Sequence, residues 1–159
     1  MNLRKQQGFT IIEVVLVLAI AGLIFLMVFI ALPALQKGQR DTQRRNDVSR
    51  FRAQVNQYQA NNKGGVPATA TASTTFKTDY LDNSGGWKDP LTGNDYVYKA
   101  WSTNKATTFG TTPVAGDWTY VANGKCNGED FAGVGATGAR TYAILMKLEG
   151  AGYNCQDNQ

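Results

Sequence analysis

The sequence predicts an α+β protein: a long N-terminal helix, membrane-spanning in its first half and amphipathic in its second, packed on a small antiparallel β-sheet. Three observations lead there. The first quarter concentrates its apolar residues in one run, from Phe9 to Leu35. A polar stretch follows with its apolar residues on one helical face. The remainder is rich in Gly, Thr, Asn and aromatic residues, the composition of strands joined by turns. With 159 residues, the chain has room for one globular domain and one extended element.

The helix rests on two patterns. Val14–Leu32 contains no charge and is interrupted in character only by Gly22. At ~1.5 Å per residue it spans roughly 28 Å, close to the ~30 Å hydrocarbon core of a bilayer. A cleaved secretory signal fits less well, because its apolar core is shorter and ends at a small-residue site. Here the run continues past Pro33 into polar helical sequence. Between Gln36 and Asn61, Val48, Phe51, Val55 and Tyr58 are spaced three, four and three apart, which places them on one face. Arg44, Arg45, Arg52 and Gln59 are expected elsewhere on the helix. The apolar stripe needs a cover, and the sheet later in the chain can supply it; a coiled coil is the alternative, for which two heptads are too few to argue. A helix continuous from Phe9 to Asn61 would be roughly 80 Å long.

Asn62–Thr75 opens with Asn-Lys-Gly-Gly-Val-Pro, which stops the helix, and continues as a small, polar loop rich in Ala and Thr. Strand-like runs follow at Tyr96–Trp101, Asp117–Ala122 and Arg140–Leu148, the last after the glycine-rich stretch Gly133–Gly138. Trp118, Tyr120 and Ala122 alternate with Thr119 and Val121, so one face of that strand can be packed. The expectation is three or four antiparallel strands against the amphipathic helix. The chain therefore divides into 1–8, a basic leader; 9–35, an apolar helix; 36–61, an amphipathic helix; and 62–159, a β-rich head.

Charge and chemistry narrow the function. The net charge is +4, but it is unevenly spread. Lys37, Arg40, Arg44, Arg45, Arg50 and Arg52 crowd the helix against only Asp41 and Asp47, whereas the chain after Asn61 is slightly acidic. The head is thus not a generic nucleic-acid binder. The basic band suits anionic headgroups, the acidic heads of neighbouring copies, or plain solvation. There is no histidine, and no nucleophile motif or phosphate loop, so an enzyme is disfavoured and neither a catalytic residue nor a cofactor is assigned. Asp89, Asn94 and Asp95 share one turn and carry hard oxygens, but their spacing matches no EF-hand; a turn stabilised by its own side chains is the expected role, and no metal site is assigned. Cys126 and Cys155 lie far apart without metal-ligand spacing. They read as one disulfide in an oxidising compartment, the alternative being two separate buried thiols.

The junction Gln7-Gly8-Phe9-Thr10-Ile11-Ile12-Glu13, preceded by Arg4 and Lys5 and followed by the apolar run, resembles the processing signature of the type IV pilin (prepilin) family. The resemblance is specific over about the first thirty residues and holds only in outline beyond them. It implies cleavage after Gly8 by a membrane prepilin peptidase, N-methylation of the new terminal residue Phe9, and an assembly role for Glu13 through the Phe9 amine of a neighbouring subunit. A carboxylate inside an apolar segment is costly, about 2.5–3.5 kcal/mol at a helix centre and less near its end, where it snorkels. Gly22 and Pro33 weaken the helix between them, since Gly costs about 1 kcal/mol relative to Ala and Pro lacks a donor. In the family this stretch unwinds on assembly, although Pro33 lies three residues further along than is usual.

The function so implied is structural: a pilus subunit serving adhesion, twitching motility or DNA uptake. Its partners would be other copies of itself, the assembly platform and minor pilins, and membrane lipid before assembly. The subunit would cross the cell membrane once with its N-terminus cytoplasmic and become extracellular in the pilus. The basic band argues the opposite topology under the positive-inside rule, and is overridden by the need for the cleavage site to face its peptidase. A pseudopilin of a type II secretion or competence apparatus is the alternative, and a membrane-anchored binding module that never polymerises is a third.

Overall fold

The computed structural model describes residues 8–68, 72, 74–132, 140–150 and 152–158. The leader residues ahead of Gly8, part of the Ala/Thr loop and the glycine-rich stretch Gly133–Gly138 lie outside the described residues. The chain forms two compact units, divided between Lys37 and Gly38.

One helix, α1 (Ile11–Asn61), contributes to both units and includes Pro33. Its end is local chemistry. Lys63 and Gly64 both take positive φ, 54° and 84°, and the Gly64 amide turns back to the Gln59 carbonyl at 2.7 Å. Glycine suits such a left-handed cap because it has no Cβ to clash.

In the first unit the apolar side chains of α1 are uncovered. Phe25, Met27 and Phe29 are among many that stand largely exposed. The most apolar window has a mean hydropathy of 3.2 and none of it is buried. By length and composition this helix can cross a membrane.

In the second unit α1 lies on a sheet. β1 (Trp118–Ala122), β4 (Tyr142–Lys147) and β5 (Tyr153–Asp157) form an antiparallel sheet in the order β1-β4-β5. Its register sets Tyr120 opposite Ile144, and Ile144 opposite Gln156. β2 (Lys125–Asn127) and β3 (Asp130–Ala132) form a separate two-stranded antiparallel hairpin. Val48, Phe51 and Val55 are fully buried, with Tyr58 packed beside them, so the three-four-three stripe is the docking face. Phe51 is the hub: its ring meets those of Phe76, Trp87, Trp118 and Tyr120 at centroid distances of 5.3–5.6 Å. Edge and tilted ring pairs of this kind add about 0.5–1.5 kcal/mol each beyond area burial.

Several sequence expectations need correction. Tyr96–Trp101 is not a strand. It touches β1 through a single parallel bridge, Tyr98 to Trp118, and Lys88 pairs with Asp95 in another isolated bridge. Its aromatic alternation reflects burial alone: Tyr96 packs its ring on Trp87, and that needs no continuous ladder. β1 is buried on both faces rather than one, because Thr119 and Val121 are covered as fully as Trp118 and Tyr120. The edge strand β5 and the β2–β3 hairpin are absent from the sequence expectation, since their polar residues carry no apolar alternation. The segment between α1 and β1 contains a π-helical turn Lys77–Leu81, a 3-10 turn Asp82–Ser84 and a short helix, α2 (Lys105–Phe109). Asn104 caps α2 by accepting the Thr107 amide at 3.0 Å.

The largest correction concerns Arg44, which is not off the apolar face but fully buried on it. Four and seven residues before Val48 and Phe51, it shares their stripe. Asp89 makes this tolerable. Arg44 Nε donates to Asp89 Oδ2 at 2.8 Å, and Nη2 lies 2.7 Å from the same oxygen. Nη1 reaches Asp41 at 3.0 Å and Glu149 at 3.3 Å. Arg40 then grips both oxygens of Glu149 at 2.6 Å, and Asp41 accepts the amides of Glu149 and Gly150 at 2.7 and 2.8 Å. One turn on, buried Asp47 pairs with Arg50 at 3.0 Å and accepts from Tyr96 Oη at 2.7 Å. The first turns of α1 in this unit are therefore tied to the β4–β5 turn and the Asp89 turn by charge, and the later turns by apolar packing.

The ionisation of these groups follows their partners. The Arg40 guanidinium holds the Glu149 carboxyl down to about 2, against the opposing effect of burial. Burial pushes Asp41 up, but the Gly150 and Glu149 amides and Arg44 outweigh it and leave the carboxyl below its usual value. At Asp47 burial prevails over the Tyr96 hydroxyl and Arg50, so that carboxyl is raised.

Candidate functional site at the helix N-terminus

Helix α1 begins one residue after Thr10, and the first four amides of any helix lack intrahelical acceptors. Thr10 and Glu13 resolve this between them. The Thr10 amide and hydroxyl both donate to Glu13 Oε2, at 2.9 and 2.8 Å, and the Glu13 amide points at Thr10 Oγ1 at 3.4 Å. This reciprocal arrangement is a capping box. The signal was present in the sequence as Thr-x-x-Glu ahead of an apolar run, and the expectation for Glu13 as an assembly residue overlooked it.

The capping box defines what the carboxylate can do. Oε2 carries both Thr10 donors, and no partner for Oε1 is present among the described residues. The carboxylate is thus held at the surface of the helix with one oxygen open to an external cation. Two shallow apolar grooves flank it, one lined by Phe9, Glu13, Val14, Val17 and Leu18, the other by Phe9, Ile12, Glu13, Leu16 and Val17. Gly8 and Phe9 precede the helix, and Phe9 is 90% exposed. A Cβ at Gly8 would meet nothing within 4 Å among the described residues.

Residues 3–29 match the family model described as the prokaryotic N-terminal methylation motif. This is the type IV prepilin-like signal. The motif indicates a type IV pilin-like or pseudopilin precursor. The matched span includes Gly8, Phe9, Thr10, Glu13 and Gly22. No curated protein and no solved structure matches the chain.

The remaining sequence-derived sites of this prepilin-like chain have plain environments. Gly22 lies within α1, where a Cβ would meet nothing within 4 Å beyond the helix's own backbone, and Pro33 lies further along the same helix. Cys126 in β2 and Cys155 in β5 are joined by a disulfide, which ties the hairpin to the edge of the sheet. The Asp89 turn is occupied by its own protein groups. Asp89 Oδ1 accepts the Leu91 and Thr92 amides at 2.8 and 3.1 Å, Oδ2 faces Arg44, and Asp95 pairs with Lys77 at 2.9 Å. Among the described residues no group of three or more His, Cys, Asp or Glu side chains is placed to hold a metal ion.

Proposed function

We propose that the chain is a type IV pilus subunit, cut after Gly8, methylated on Phe9 and polymerised into a surface filament. The observation that carries this is the uncovered apolar helix of the first unit, begun by a carboxylate with one open oxygen. An apolar surface of this extent requires a bilayer or other copies of itself around it. Once cleavage frees the Phe9 amine, the chain owns both halves of an ion pair, Glu13 and a terminal cation, and each can serve a neighbour. Desolvation offsets much of the attraction between buried ions. The pair therefore chiefly selects register, because a misplaced subunit would leave a charge buried and unpaired. In the filament the stretch from Gly22 to Pro33 gives up helical hydrogen bonds, its freed backbone groups being covered by neighbours. The prepilin peptidase, the assembly platform and minor pilins act before and during assembly, and the second unit faces the exterior.

Intact-mass spectrometry of the subunit from sheared native fibres tests this. The expected mass is that of 9–159 plus one methyl group. Recovery of a subunit that begins at Met1 from such fibres would refute it.

A further inference from the structure

The basic band on α1 divides into spent and unspent charge. Arg40, Arg44 and Arg50 are neutralised inside the unit by Glu149, Asp41, Asp89 and Asp47. Arg45 and Arg52 are exposed, and neither makes an ion pair among the described residues. Seven residues apart, they lie within about 20° of each other around the helix. Their flank borders β4 and β5: Ser49 bonds Gln156 at 3.1 Å, and the Tyr142 hydroxyl donates to the Arg52 carbonyl at 3.2 Å.

The opposite flank of the same helix has the opposite character. Arg50 reaches across it to the Gly86 carbonyl, and Gln54 and Gln57 line a hollow with Asp79, Tyr80 and Asn83. Asp79 is exposed and makes no ion pair among the described residues. Beside it Lys77 is shared by Asp82 and Asp95, which remain 40% and 54% exposed. With Arg50 balanced by Asp47 and Lys88 opposite Asp95 in its bridge, the flank is left with three carboxylates against two lysines. Gln54 stands about 200° around the helix from Arg52, so one subunit cannot bring these faces together.

We propose that the Arg45/Arg52 flank of one copy docks on the Asp79/Asp82/Asp95 flank of the next. Two different, complementary patches on opposite sides of one subunit make a heterologous contact, which propagates into an open helical polymer rather than closing as a dimer. This contact rests on the filament reading and adds to it a face-to-face specificity between second units.

The test uses full-length chains in cells that assemble them, scoring sheared fibres against the processed membrane pool. Arg45→Glu with Arg52→Glu is expected to reduce fibre yield at least about tenfold, the equivalent of 1.4 kcal/mol per contact. Asp79→Lys with Asp82→Lys should do the same. Combining all four substitutions restores opposite charges across the contact and should return yield to within about twofold of the unsubstituted chain. Recovery of each variant in the processed pool with its Cys126–Cys155 bond intact controls for folding. Normal fibres from either charge-reversed pair would overturn the proposal. Loss without rescue in the fourfold variant would also overturn it, and is the result expected if the arginines meet lipid headgroups instead. Absence of fibres from the unsubstituted chain would remove the filament reading itself, and this contact with it.

Discussion

Replacing Arg44 with Met is the sharpest perturbation of this fold. Methionine fills much of the volume but removes the cation from a cluster of two arginines and three carboxylates. The consequences are unequal. Asp41 keeps the Glu149 and Gly150 amides, and Glu149 keeps both bonds to Arg40. Asp89 keeps the Leu91 and Thr92 amides on Oδ1, but its Oδ2 loses both Arg44 contacts, at 2.8 and 2.7 Å, and stays buried. The cost is that of one orphaned buried charge, about 3–5 kcal/mol. With m-values of about 1–3 kcal/mol/M in urea, the unfolding midpoint should fall by about 2 M. The assay is urea unfolding of the full-length chain in detergent, followed by the fluorescence of buried Trp87 and Trp118; urea leaves ionic interactions unscreened. Adding Asp89→Asn, which keeps an oxygen for the two amides and removes the orphaned charge, should recover most of the loss. A single-variant loss under about 1 kcal/mol would refute the reasoning. A double variant no better than the single would do so too, because the harm would then lie in packing.

Three further outcomes are expected. Glu149, with its carboxyl depressed to about 2, contributes stability that is complete above the ordinary carboxylate range and is lost as pH falls toward 2; depressed Asp41 adds to this and raised Asp47 opposes it. Thermal midpoints measured from pH 6 to 2 should therefore fall on the acid side, and Glu149→Gln should flatten that limb; an unchanged slope would count against it. Removing the disulfide with Cys126→Ala and Cys155→Ala should cost roughly 3–4 kcal/mol on the chain-entropy account of a loop of this length, read by the same urea unfolding; a loss under about 1 kcal/mol would contradict it. Glu13→Val should leave insertion and leader cleavage intact yet abolish fibres, whereas Thr10→Val, which removes only the capping hydroxyl, should weaken the helix start by about 1 kcal/mol with Glu13 still able to pair; normal fibre yield from processed Glu13→Val would show the carboxylate serves the cap alone.

What the sequence determined by itself is whatever depends on neighbours in the chain. The apolar run, the three-four-three stripe ending in a Gly-Gly stop, and the approximate places of β1 and β4 are local patterns whose periods follow from backbone geometry. The processing junction is equally local, since Gly8, Phe9, Thr10 and Glu13 lie within six residues, and the capping box of Thr10 and Glu13 is written in the same stretch. The tertiary structure decided what depends on partners far along the chain. Arg44 looked like a solvated charge until Asp89, 45 positions away, proved to hold it in the core, and Arg40 meets Glu149 across 109 positions. Tyr96–Trp101 has the alternation of a strand, but alternation records burial and not pairing. A ladder needs a second backbone at the right distance and direction, and here β1 offers only a single parallel bridge. The same nonlocality separates spent from unspent charge on α1: six basic residues are indistinguishable in the sequence, and only the folded head shows which of them its carboxylates have already neutralised.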